Sequence, residues 1–196
     1  MIQTPAAQLL ALRSTQLARR GALLGLGAGA LTLAGCSGID PSRYAREQPR
    51  LDLAQYFNGT VDAWGVFQDR SGEVVRRFTV LMNCQWKDAV GTLDEDFLYS
   101  DGTREKRIWT VRKLGEGRYS GTAADVVGEA TGVAAGNALN WRYVLALKVD
   151  GRTWEVDFDD WMYQIDDRVM LNRATMSKFG VKLGEVLLSF TRRAAA

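Results

Sequence analysis

The residues best suited to chemistry are acids set among aromatic and apolar neighbours. Phe158-Asp159-Asp160-Trp161-Met162-Tyr163 is followed by Asp166-Asp167 and then by Asn172-Arg173. Paired carboxylates can bind Ca²⁺ through their oxygens, or push one pKa up for acid–base work. The spacing fits no EF-hand loop, so no metal is expected. Adjacent residues of a strand point to opposite faces, so Asp159 and Asp160 do not share a site. One is expected to be exposed and one to be paired with an arginine. A second constellation is Asp125 within Ala123-Ala124-Asp125-Val126-Val127, together with Asn137, Asn140 and Arg142. A buried charge is costly unless paired. If Asp125 and Arg142 face inward, they satisfy each other or hold the polar end of a ligand. The alternative is a solvated outer face on the same strands. Arg76, Arg107 and Arg173 are further candidates for an interior charge. The ligand-binding candidates are therefore Arg142, Asp125, Trp141, Asn140, Asp160 and Arg107, and no residue is assigned a catalytic role.

The chain of 196 residues contains no histidine. That excludes Ser-His-Asp and Cys-His nucleophile systems, and histidine-ligated haem and zinc sites. No cofactor is expected. Proton transfer near neutral pH would fall to a perturbed Asp, Glu, Lys or Tyr. Six tryptophans, Trp64, Trp86, Trp109, Trp141, Trp154 and Trp161, supply aromatic surface for a core or for an apolar pocket.

These residues need a compartment and a scaffold. Arg13, Arg19 and Arg20 precede an apolar stretch, Ala22–Leu33, and then Leu33-Ala34-Gly35-Cys36. A basic segment, a short apolar segment and a small-residue cleavage site are the parts of an export signal. Cysteine at the cut reads as a bacterial lipoprotein site, with lipid added to the Cys36 sulfur. Residues 1–35 are then a signal peptide, 36–50 a lipidated tether, and 51–196 the folded domain. The apolar stretch is too short to cross a hydrocarbon core of about 30 Å as a helix. Arg19-Arg20 leaves twin-arginine export open beside the general route. Ser37, rather than aspartate, after the cysteine favours the periplasmic face of the outer membrane. Lys and Arg total 25 and Asp and Glu 23. Processing removes three of the arginines and no acid, so the basic balance belongs to the signal and no nucleic-acid partner is expected. Cys84 remains as a single thiol, and the core must hold without a disulfide.

Beyond the tether, Leu51–Phe57 has its apolar residues at helical spacing and reads as a short helical turn. The period then becomes two. Val74, Arg76, Phe78, Val80 and Met82 share one face, and so do Leu139, Trp141, Tyr143, Leu145 and Leu147. Asp101-Gly102 and Asp150-Gly151 are hairpin signals. Small residues from Gly128 to Gly136 suggest a bulge, a bend or a close backbone approach. Short strands joined by tight turns predict an all-β fold: a single antiparallel up-and-down barrel of about 8 to 10 strands with a short N-terminal helical turn.

Gly59-Thr60-Val61-Asp62-Ala63-Trp64-Gly65 after a helical turn resembles the start of the lipocalins and their calycin relatives. That resemblance implies that Trp64 plugs the closed end of the barrel; an ordinary core tryptophan predicts the same burial. Further segments carry a second resemblance: Ala63–Gly72, Thr92–Phe97, Gly121–Ala130, Phe158–Met162 and Met176–Gly180. Together they are similar to a proteobacterial family, domain of unknown function 3833. The resemblance implies a lipoprotein with a lipocalin-like barrel, and it assigns no catalytic residue. The leading expectation is a membrane-anchored barrel that binds an apolar small molecule or fatty-acyl ligand. The alternatives are an enzyme acting on a lipid-like substrate through Asp125 or Asp160 with an arginine, and an assembly lipoprotein that binds a protein partner. Replacing Cys36 with serine is expected to abolish incorporation of labelled palmitate and to release the protein from the membrane fraction. Unchanged labelling would refute the lipidation site.

Overall fold

A computed structural model describes residues 38–149 and 151–194. The signal segment and Cys36 lie outside the described residues, as does Asp150 of the Asp150-Gly151 turn. Ten strands follow a short lead-in: β1 Gly59–Asp69, β2 Val74–Lys87, β3 Val90–Tyr99, β4 Arg104–Gly115, β5 Arg118–Thr122, β6 Val126–Ala135, β7 Ala138–Val149, β8 Arg152–Gln164, β9 Val169–Lys178 and β10 Val181–Arg192. Each strand pairs antiparallel with its sequence neighbour, and β1 pairs with β10 from Val61↔Arg192 to Asp69↔Gly184. The sheet therefore closes as an up-and-down barrel with no free edge.

The expected alternation holds along the strands. On β2, Arg76, Val80, Met82 and Cys84 are buried, while Arg77, Leu81 and Asn83 are exposed. The irregularity and the close backbone approach expected in the passage 128–136 are both present, the first within β6 and the second at Gly136, just past its end. β6 runs through the passage with a register shift between Val127 and Thr131. Its small residues make room for one large ring, which also leans on β5, because a Cβ on Gly121 would meet Trp141 Cζ2 at 2.6 Å. Gly132 is blocked by the same indole, and Gly91 by Trp86.

The chain enters along the outer wall. A 3₁₀ turn, Pro41–Tyr44, lies against β6 and β7. Tyr44 sets its ring edge-on to Trp161 and Tyr163, with centroids 5.9 and 5.4 Å away. A side chain on Gly136 would collide with the Tyr44 carbonyl. The helical turn α1, Leu53–Tyr56, then closes one end of the barrel. Asp52 caps it, accepting from Ala54 N at 2.9 Å, and is tied to Lys113 at 2.6 Å. Leu53, Tyr56 and Phe57 are buried. The Tyr56 hydroxyl donates to the Arg168 and Phe190 carbonyls at 2.8 and 3.2 Å, and Trp86 Nε1 donates to the Phe57 carbonyl at 2.7 Å.

These residues make the plug that was expected of Trp64. Trp64 itself points out of the barrel and is 53% exposed. The reason is parity: Val61 and Ala63 occupy the inward positions of β1, so the residue between Ala63 and Gly65 must face outward.

Apolar side chains line the inside, and charged pairs stand on the outside, as at Asp62–Arg193 (2.6 Å) and Lys106–Asp94 (2.6 Å). Tyr56→Phe removes two hydrogen bonds from a buried plug and is expected to lower unfolding free energy by about 1 to 2 kcal/mol. Tyr56→Ala also empties the site, with a loss of about 3 to 5 kcal/mol. Urea unfolding curves of both variants provide the check.

Candidate ligand cavity

The inward faces do not fill the barrel. They leave a cavity of about 220 Å³, many times the roughly 30 Å³ share of one water in the liquid. Phe67, Phe78, Val80, Leu139, Val186 and Leu188 are among its apolar lining residues. Two buried apolar clusters bracket it. One surrounds α1 and includes Leu53, Phe57, Met82, Trp109 and Trp141; the other includes Leu145, Val156, Phe158, Ala174 and Met176. Tyr143 touches both, stacked on Phe158 at 4.8 Å and edge-on to Trp109 at 5.4 Å.

A small set of charged and polar side chains also lines this interior: Arg76, Glu95, Glu105, Arg107, Asp160 and Asn172. Each stands at an inward position by strand parity, in register with apolar neighbours. Arg107 is directly opposite Glu95 on β3, with 4.0 Å between Nη1 and Oε2. Its Nε and Nη2 grip Asp125 at 3.0 and 2.8 Å. Burial works against the Arg107 charge, but Asp125 and Glu95 overcome it and hold the guanidinium ionised. Asp160 accepts a short hydrogen bond from Asn172 Nδ2 on β9. Burial pushes the Asp160 carboxyl up to about 7, with Asn172 opposing the shift. Burial likewise raises Glu95 to about 7 against the pull of Arg107. Tyr143 is pushed well above the ordinary phenol range by burial, so its hydroxyl stays protonated. The cavity thus offers two carboxyls that exchange protons near neutrality, a neutral phenol and fixed cations.

Of the six ligand-binding candidates, Arg107, Trp141 and Asp160 line the cavity. Asp125 sits between β5 and β6, is tethered by Arg107, and is partly open to solvent. Arg142 does not face inward. It stands on the outer wall beside Asp159, 3.4 Å from Nε to Oδ1, with its side chain 56% exposed. Asn140 is also on the outer face, where it donates to Asp159 Oδ1 at 2.6 Å and to the Asp160 carbonyl. The physical reason is again parity, since Leu139, Trp141 and Tyr143 take the inward side of β7. Asp125 and Arg142 therefore do not meet: Arg107 holds Asp125, and Arg142 pairs with Asp159 on the outer face that was the alternative for it. Asp159 and Asp160 do separate to opposite faces; the acid paired with an arginine is Asp159, on Arg142, while Asp160 meets Asn172. Arg173 pairs on the outside with Glu185. Glu95 is a site residue that the sequence pattern did not single out, although its place between Leu93 and Phe97 gives the right parity. Among the described residues no cluster of three or more His, Cys, Asp or Glu could hold a metal. Cys84 faces inward and burial pushes its thiol up to about 12, which leaves it unreactive.

The raised carboxyls fix the sign of the pH response. A folded pKa above the unfolded one stabilises the fold at low pH, and that stability is lost as pH rises through the folded value. For Asp160 and Glu95 the loss is expected to run up to about pH 7, at about 1.4 kcal/mol per pH unit for each group at most. Asp62, Asp69 and Asp101 are held below the usual carboxylate range, so they titrate outside this window. Thermal melts from pH 5 to pH 8 should therefore show a falling midpoint, and Asp160→Asn, which keeps an acceptor for Asn172, should flatten the fall. A midpoint that rises over this window would refute the assignment.

No curated protein matches this sequence. Among solved structures, a de novo designed, fluorescence-activating beta barrel is 14% identical, covering 73% of this chain and 99% of that chain, with a TM-score of 0.42. Residues 30–192 match the family described as "Protein of unknown function (DUF3833)", a span that takes in all ten strands and every residue lining the cavity, and the chain belongs to that family.

Proposed function

We propose that this protein is a membrane-anchored binding module that holds an apolar or acyl-chain ligand inside its barrel. The observation that carries this reading is the apolar-lined cavity of about 220 Å³ within a sheet that has no free edge. A closed sheet satisfies its backbone hydrogen bonds internally, so what it offers a small molecule is its interior. Pockets for small molecules are mostly apolar with a few placed polar groups, and Arg107, Glu95, Asp160 and Asn172 supply such groups here. The anchor rests on the sequence alone: a basic segment, Ala22–Leu33, and Leu33-Ala34-Gly35-Cys36. Lipid on Cys36 would moor the barrel to the periplasmic face of the outer membrane, next to a supply of acyl chains. Several buried chains suffice for stable anchoring, at about 0.8 kcal/mol per CH₂.

A second reading is favoured by one observation. Asp160, with its carboxyl near neutrality inside the cavity, has the protonation behaviour of a general acid or base, and Arg107 is a fixed positive charge in the same cavity. Asp125, the other acid considered for this role, is already held by Arg107. The enzyme reading therefore moves to Asp160.

One experiment separates the two. Native mass spectrometry of gently purified protein is expected to find a retained lipid on wild type and on Asp160→Asn. The same lipid on both supports a carrier. A chemically altered lipid on wild type alone supports catalysis. Protein that is empty after mild extraction, and that takes up no added apolar probe, would refute both.

A further inference from the structure

Arg76 is an arginine inside a barrel with too few partners. It is 7% exposed and lines the cavity. It lies near the start of β2, at the end of the barrel opposite α1. Only Nη2 is paired, to the two oxygens of Asp101 at 2.9 and 2.8 Å. Nε and Nη1 are buried with no hydrogen-bond partner. The guanidinium carbon stands over the Tyr99 ring, 3.6 Å from its centroid. The Tyr99 hydroxyl donates to Glu105 Oε2 at 2.9 Å. Asp101 is on the rim with its side chain 55% exposed, so water shares its charge.

A buried donor without an acceptor costs stability, and more so when it is charged. Such a group persists where something else satisfies it. Apart from Glu105, which takes the Tyr99 hydroxyl, the neighbouring lining is apolar: Phe67, Phe78, Phe97 and Leu188. A cation with open donors at one end of an apolar cavity matches a molecule with anionic oxygens at one end and a hydrocarbon tail.

We infer that Arg76 receives the anionic head of a single-chain amphiphile whose tail lies in the cavity. The head group carries carboxylate or phosphate oxygens. It sits at the end of the barrel opposite α1, with Arg76 Nε and Nη1 donating to it and the Tyr99 ring beneath the guanidinium. Asp101 competes with the head for the same cation. The inference rests on the reading of the barrel as an acyl-ligand module, and it adds the chemistry and direction of the bound molecule.

The test measures binding of decanoate, decyl phosphate and decanol to the full-length protein by calorimetry. Wild type is expected to bind at least one anionic probe about tenfold or more tightly than decanol, the scale of a charge-assisted hydrogen bond. Preference for decanoate or for decyl phosphate identifies the head. Arg76→Met should erase the preference for the anion and leave decanol unchanged. Asp101→Asn, a change at an exposed rim position, should strengthen anion binding and also leave decanol unchanged, so it decides the matter if the Arg76 variant does not fold. Equal binding of anion and alcohol by wild type, or anion binding indifferent to both substitutions, overturns the role of Arg76 while the barrel's role as a carrier stands. Failure of all three probes to bind overturns the carrier reading on which the inference rests.

Discussion

The pairing of β1 with β10 is the constraint on which everything else depends. It converts a meander, which would expose two edges, into a wall with an inside and an outside. Once the wall closes, strand residues alternate between one side and the other, except at the register shifts in β1, β4, β6 and β10. Apolar side chains on the inward positions then drive burial, and α1 with Tyr56, Phe57 and Trp86 stops one end.

Closure also explains the chemistry of the interior. A carboxyl on the outer wall can be solvated or paired, as Asp159 is with Arg142. Its neighbour Asp160, one residue along, faces an apolar chamber with Asn172 as its hydrogen-bond partner, and its proton affinity rises accordingly. The difference between these two aspartates is produced by the sheet. Similarly, Arg107 is neutralised from two directions, whereas Arg76 is met on one nitrogen only. Arg107 is thus fully held on β4, while Arg76, near the start of β2, keeps two nitrogens without a partner.

Much of this was legible in the sequence. Period-two patterning, hairpin signals and the lack of long helical patterns led to an antiparallel barrel with a helical turn at its start. The separation of Asp159 from Asp160 followed from the same geometry. What was harder to read was which parity faces inward on strands with mixed faces. On β1, Trp64 outweighs Val61 and Ala63 in size, yet the smaller residues went inside. On β7, Asn140 and Arg142 follow the alternation, but their outer position becomes plain only when Trp141 and Tyr143 are seen lining the cavity. The passage 128–136 was obscure because its glycines weaken any strand signal. Gly132 is required there because the Trp141 ring lies over it, and Gly136 because the Tyr44 carbonyl approaches it.

The sequence by itself determined the fold class and the order of the strands, because these depend on local patterns of size, polarity and charge along the chain. The tertiary structure decided which charges share the cavity. Arg107 and Asp125 are eighteen residues apart, Asp160 and Asn172 twelve, and Arg76 and Asp101 twenty-five. Their partnerships depend on the registers and turns that bring separate strands together. No pattern within a strand encodes how many of an arginine's nitrogens will find an acceptor once the wall has closed around it.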